Sequence, residues 1–166
     1  MAMDDTLNNI LRKLVLSRAV AALGTVANGE PFVSMVPYIL HGAGANFLIH
    51  VSGLSAHTRQ MLAHPRVSIM VAAAEDAVDE NGSALQPQAL PRVTAQGDAT
   101  RIDPAAKEYA AGKAAYLECF PLARQMFELP DFSLFTVSPR SVRFIAGFGK
   151  AHSLNPQAWA RALGPL

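Results

Sequence analysis

The stretch Asn46-Phe47-Leu48-Ile49-His50-Val51-Ser52-Gly53-Leu54-Ser55-Ala56-His57-Thr58-Arg59-Gln60, continued by His64-Pro65-Arg66-Val67-Ser68-Ile69, decides how this chain is read. Phe47 to Val51 is a short apolar run bounded by turn residues, the pattern of a buried strand. Ser52 to Ala56 reads as a loop. Met61 and Leu62, stopped at His64-Pro65 because the residue before proline disfavours the helical region, outline a short helix. A strand from Val67 to Ala73 follows. Set between a strand end and a helix start, the hydroxyls of this segment, Gly53 and Arg59 have the chemistry of a phosphate cradle: unpaired N–H groups, hydroxyl donors and a forked guanidinium. The same residues also suit a plain helix start, with Ser55 as cap and Arg59 in solvent.

Working outward, Asp4, Asp5 and Thr6 supply caps ahead of Leu7, Ile10, Leu11, Leu14 and Val15, whose spacing predicts an amphipathic helix ending near Ser17. Ala19 to Ala27 and Phe32 to Leu40 read as strands joined by the turn Asn28-Gly29. The run from His41 to Asn46 is a second turn, leading into the Phe47 strand. Towards the C-terminus, 75–91 holds Glu75, Asp76, Asp79 and Glu80 with Asn81-Gly82-Ser83 and two prolines, and reads as an exposed loop. Val93 to Ile102 predicts a strand, and Asp103-Pro104 a cap and first helical turn opening a helix that Pro121 breaks. Phe132 to Val137 and Val142 to Phe148 predict two more strands, separated at Ser138-Pro139-Arg140, before a segment around Trp159. Short antiparallel strands with helices at the edges indicate a small mainly β (α+β) barrel in a single domain, 1–166.

The 166 residues are 51% hydrophobic and 16% charged, enough apolar material for a core and for an oligomer interface, so a homodimer is expected. A net charge of +1 without a basic run gives no footprint for nucleic acid. No apolar stretch approaches a membrane span and no leader is visible, so a cytoplasmic location is expected. Cys119 stands alone, within a helical pattern that predicts a packed core thiol. The scattered histidines lack zinc-ligand spacing, Gly42-x-Gly44 sits in a hairpin rather than between strand and helix, and no Gly-x-Ser-x-Gly elbow occurs.

The Asn46–Ile69 block resembles the FMN-binding split barrels related to pyridoxamine 5'-phosphate oxidase, which place a strand, a phosphate loop with its helix, and an Asn-Pro-Arg-Val-Ser type strand start in this order. Leu90-Pro91-Arg92-Val93-Thr94 with Gln96-Gly97, then Asp131-Phe132, then Gly147-Phe148-Gly149-Lys150-Ala151-His152 fall in register with it and resemble the haem-utilisation branch. The resemblance spans roughly Arg18 to Leu154. It implies a six-stranded antiparallel split β-barrel with flanking helices, homodimeric, with FMN in a groove between protomers. It also implies that His50, Val51 and Ser52 lie along the flavin, Ser55, His57, Thr58 and Arg59 surround its phosphate, and Arg92 and Phe148 contact the cofactor.

The leading expectation from this resemblance is a flavin-dependent oxidoreductase acting on a small molecule, with Lys150 and His152 steering or protonating the substrate beside the ring. Departures bear on it. Met35 and Leu40 occupy positions where the oxidase has an arginine and a lysine, and only part of its C-terminal Arg-x-His pair survives as Lys150-Ala151-His152. The alternatives are haem binding and degradation in the same groove, with His152 as iron ligand, or a flavin carrier without turnover.

Overall fold

The computed structural model describes residues 3–79 and 81–166; Glu80, one of the four loop acids singled out above, lies outside them. Four helices and eight strands follow one another as α1 (Asp5–Ser17), β1 (Val20–Ala27), β2 (Glu30–Pro37), β3 (Ile39–His41), β4 (Asn46–Ser52), α2 (Ala56–Ala63), β5 (Arg66–Ala72), β6 (Arg92–Arg101), α3 (Lys107–Cys119), β7 (Phe132–Gly147), β8 (Lys150–Leu154) and α4 (Pro156–Leu163). The sheet runs β2-β1-β5-β6-β7-β4-β3, with β8 added to β7, and the pairings are antiparallel. This is the expected split barrel, with eight strands rather than six. The difference arises because Tyr38 interrupts the predicted second strand, and because the chain doubles back after Gly147 to form β8.

Alternation builds the core. Leu23 on β1, Phe47 and Ile49 on β4, Ile69 on β5, Val93 and Ala95 on β6, and Phe135, Val137 and Phe144 on β7 point inward and are buried. Leu11, Leu14 and Val15 of α1 and Trp159 and Leu163 of α4 join that core, and Met61 of α2 joins it as well. Two buried polar atoms are satisfied on the way. The Trp159 indole N–H donates to the Ala45 carbonyl at 2.9 Å, and the Tyr38 hydroxyl donates to the Val15 carbonyl at 2.6 Å.

Strand β4 lacks polar alternation because it is covered twice. Phe47, Ile49 and Val51 face the barrel, whereas Leu48 packs with Leu134, Tyr116 and Ala123 under α3 and the 3-10 segment Pro121–Glu128. The Asn28-Gly29 hairpin has positive φ at both residues, 52° and 80°, as a type I′ turn requires.

Three expectations need correction. Helix α3 begins at Lys107, not at Pro104, because the Asp103 carboxylate accepts from the Ala105 N–H and closes a turn first. Cys119, the last residue of α3, is exposed rather than packed. Ser138-Pro139-Arg140 does not separate two strands: β7 runs through it, absorbing one extra residue as a bulge opposite Gln96 and Gly97.

Candidate functional site

The loop between β4 and α2 is held from a distance. The Ser52 hydroxyl donates to the Asp131 carboxylate at 2.6 Å, across 79 residues of chain, and the Gly53 N–H donates to the Asp131 carbonyl at 2.6 Å. The Leu54 N–H donates back to the Ser52 hydroxyl oxygen at 3.1 Å. The Thr58 hydroxyl donates to the Ser52 carbonyl at 2.7 Å, and Arg59 Nη1 to the Leu54 carbonyl at 2.6 Å. Two of the four side chains proposed for a phosphate, Thr58 and Arg59, therefore already serve the loop itself. Ser55 occupies the cap position of α2 but makes no side-chain cap bond.

His57 faces the barrel edge. Its Nδ1 lies 3.0 Å from the Ser34 hydroxyl on β2, while Nε2 is buried and has no partner among the described residues. Burial holds its imidazole below the ordinary histidine range. Gln60, one turn on, accepts a hydrogen bond from the buried Thr25 hydroxyl.

His50 is placed differently from what a flavin contact requires. It is 7% exposed, with its ring stacked on Phe127 at 3.6 Å between centroids and only 5° between planes. Tyr116 meets it edge-on at 6.0 Å, and the Lys113 ammonium sits 5.1 Å from the Phe127 ring centre. Burial first, and the Lys113 charge second, lower the His50 pKa to about 4, so the imidazole is neutral near pH 7. Burial likewise pushes the Tyr116 hydroxyl up to about 12. Val51, the next residue, points into the barrel core. Neither side chain is open to a ligand in this chain, because α3 and the 3-10 segment cover one face of β4 and the barrel fills the other.

The remaining predicted residues form a second group at the far end of β7. Arg92 opens β6 opposite Ile145, and its Nη1 donates to the Leu90 carbonyl at 3.1 Å and the Gln88 carbonyl at 3.3 Å. Phe148 tips the β7–β8 hairpin between two glycines of positive φ and is 82% exposed. Lys150 pairs with Gly147, and His152 lies opposite Phe144, partly buried, with its ring 6.2 Å from the Phe144 ring. Ser52 pairs with Phe132 at the start of β7 and His152 with Phe144 near its end, so the two groups belong to different parts of that strand.

Between the two groups lies the outer face of the sheet. On β2, β1 and β5 it carries Val33, Met35, Val20, Val26 and Met70, all exposed, with Val33 at 69% and Met35 at 64%. Strand β2 is an edge strand, so its outer backbone groups are also unpaired. Beside this strip an open groove of about 620 Å³ runs over Gly24, Ser68 and Gln96, walled by Val26, Phe32 and Val33 and rimmed by Arg66 and Arg140. Those two arginines were not among the sequence candidates. The available signal was Arg66 in His64-Pro65-Arg66 and Arg140 after Pro139, but only the β5–β6–β7 pairing sets them against one another.

Among the described residues, no group of three or more His, Cys, Asp or Glu is arranged to hold a metal ion, and no helix is long and apolar enough to cross a membrane.

Comparison with known proteins adds to this geometry. Residues 7–146 match the protein family described as pyridoxamine 5'-phosphate oxidase. The chain is 33% identical over 123 residues to the chloroplastic non-canonical heme oxygenase HOZ of Arabidopsis thaliana, covering 74% of this chain and 34% of that one. It is 28% identical over 140 residues to the heme oxygenase HutZ of Vibrio cholerae, covering 83% and 75% respectively. The solved structure of a heme binding protein from Mycobacterium smegmatis superposes with a TM-score of 0.81 at 28% identity, covering 96% of this chain and 62% of that one. The chain thus spans about a third of the plant protein and under two thirds of the mycobacterial one.

Proposed function

The chain belongs to the pyridoxamine 5'-phosphate oxidase family, and from that premise we propose that it binds haem between two copies of itself and supports its oxidative degradation. The observation that carries this reading is the uncovered outer sheet face. A strip of exposed aliphatic side chains on β2, β1 and β5 borders a groove rimmed by arginines, which suits a flat apolar molecule bearing carboxylates. A second copy on the same strip covers the β2 edge and supplies the opposite wall. The names of the relatives favour the same ligand.

The flavin oxidoreductase reading is the weaker of the two. Thr58 and Arg59 are engaged within their own loop, and the Ser52 hydroxyl donates to the Asp131 carboxylate. His50 and Val51 are covered by protein.

Haem iron supplies the oxygen chemistry, with dioxygen and an external electron donor. The chain supplies the ligand, the apolar wall and the charge. His152 is the histidine assigned to iron: His50 is stacked on Phe127 and His57 engages Ser34, whereas His152 lies partly buried on β8 with Lys150 and the exposed Phe148 on the same hairpin. There its imidazole, on the Phe144 side of the hairpin, would ligate the iron.

The test is an absorbance titration of the purified protein with hemin, beside a parallel titration with FMN. Hemin is expected to give a sharp Soret band that H152A weakens. A mutant spectrum identical to wild type removes His152 as ligand. Flavin uptake without a hemin-induced band removes the haem reading and restores the flavin one.

A further inference from the structure

We propose that Arg66 and Arg140 form a carboxylate-binding subsite on the rim of the outer-face groove, held ready by Asp98; the proposal rests on the haem reading and deepens it. Asp98 lies between the two guanidiniums. Its Oδ1 is 3.0 Å from Arg66 Nε and its Oδ2 is 3.7 Å from Arg140 Nε. Both contacts use Nε, and among the described residues no further hydrogen-bond partner engages either guanidinium. The terminal N–H groups of both arginines are therefore available to an incoming anion. Two cations against one anion leave the cluster with a net positive charge, beside the apolar wall of Val26, Phe32 and Val33.

The backbone is built to present this pair. Gln96 pairs with Ser141 and Gly97 with Pro139, so Arg140 is the extra residue of the bulge. In a regular strand, residues 140 and 141 would point to opposite faces; the bulge leaves both exposed and brings Arg140 to the side of Asp98. Gly97 makes this possible, since a Cβ there would lie 2.3 Å from the Ser138 carbonyl oxygen. A role in fold stability does not account for the cluster: the side chains are 73% exposed at Arg66 and 41% at Asp98, and pairs so exposed contribute little to stability. A planar guanidinium pair with free terminal donors suits a dicarboxylate in forked geometry, as the two propionates of haem provide.

The experiment compares hemin with hemin dimethyl ester, which lacks the charges, by absorbance titration of the full chain and of R66Q, R140Q and D98N. The expected result is that R140Q and R66Q each weaken hemin by about tenfold or more, one charge-assisted bond's worth, and leave ester affinity at the wild-type value. D98N, which removes the carboxylate that holds the two side chains together, is expected to weaken hemin severalfold and to leave the ester unchanged. Equal hemin affinity in wild type, R66Q and R140Q overturns the subsite while leaving haem binding standing. A wild-type protein that takes up neither porphyrin overturns the haem reading, and the subsite with it.

Discussion

Replacing His50 by phenylalanine should remove most of the acid sensitivity of the fold in one window. The ring is 7% exposed and stacked on Phe127 at 3.6 Å, so protonation places a charge against an apolar ring and near the Lys113 ammonium. An ordinary histidine titrates near 6.5, and this one at about 4. Between those values the unfolded chain binds a proton that the folded chain refuses, so stability falls as pH drops from about 6.5 to about 4 and is level on either side. At 1.36 kcal/mol per pH unit, the loss across the window is about 3 kcal/mol. H50F keeps an aromatic ring on Phe127 and has nothing to titrate. Urea unfolding of both proteins at a series of pH values gives the difference directly, and His57, whose pKa is depressed in both, cancels from it. Wild type is expected to lose about 3 kcal/mol relative to H50F between pH 6.5 and 4. Parallel pH profiles would show that the stacked imidazole accepts its proton without leaving the ring, and the reasoning fails.

Two further outcomes test the architecture. G97A sets a methyl group 2.3 Å from the Ser138 carbonyl oxygen, a backbone atom that cannot swing away, and should cost about 1 to 3 kcal/mol by thermal unfolding; a melting temperature at the wild-type value refutes the close approach at the bulge. V33D combined with M35E alters two side chains exposed on the β2 edge, so the protomer should lose less than about 0.5 kcal/mol per site while light scattering reports half the wild-type mass; a wild-type protein of monomer mass, or a variant of unchanged mass, rules out this face as the interface.

What the sequence revealed follows from how local each signal is. The Asn28-Gly29 turn, the apolar strand Phe47–Val51 and the stop at His64-Pro65 are written in adjacent residues, and each element formed where those residues placed it. Pro139 was read as a break because it has no N–H to give a ladder. A bulge is the other place a strand tolerates proline, and Gly97 on the partner strand, 42 residues earlier, decides between the two. His50 was set against a cofactor by resemblance alone. The residue that covers it, Phe127, belongs to a 3-10 segment whose docking on β4 depends on tertiary packing. The loop after β4 was legible as a loop from adjacent residues, whereas its tie to Asp131, which takes the Ser52 hydroxyl across 79 residues, is set by the fold.

Lys150 and His152 pair with the C-terminal part of β7, and Ser52 with its first residue. The hydrogen bonds of β7 to both β4 and β6 fix its course. An exposed aliphatic strip beside an unpaired strand edge is where a second copy buries most apolar surface at least loss of hydrogen bonding. A two-fold axis through that strip generates two equivalent grooves, each with an arginine rim from one protomer, and makes ligand affinity depend on protein concentration. The arginine pair and the dimer face are then linked: M35E, at a position outside the groove lining, should weaken hemin as well as halve the mass. Full hemin affinity in a monomeric variant would place the whole haem site within one chain and separate the groove from the interface.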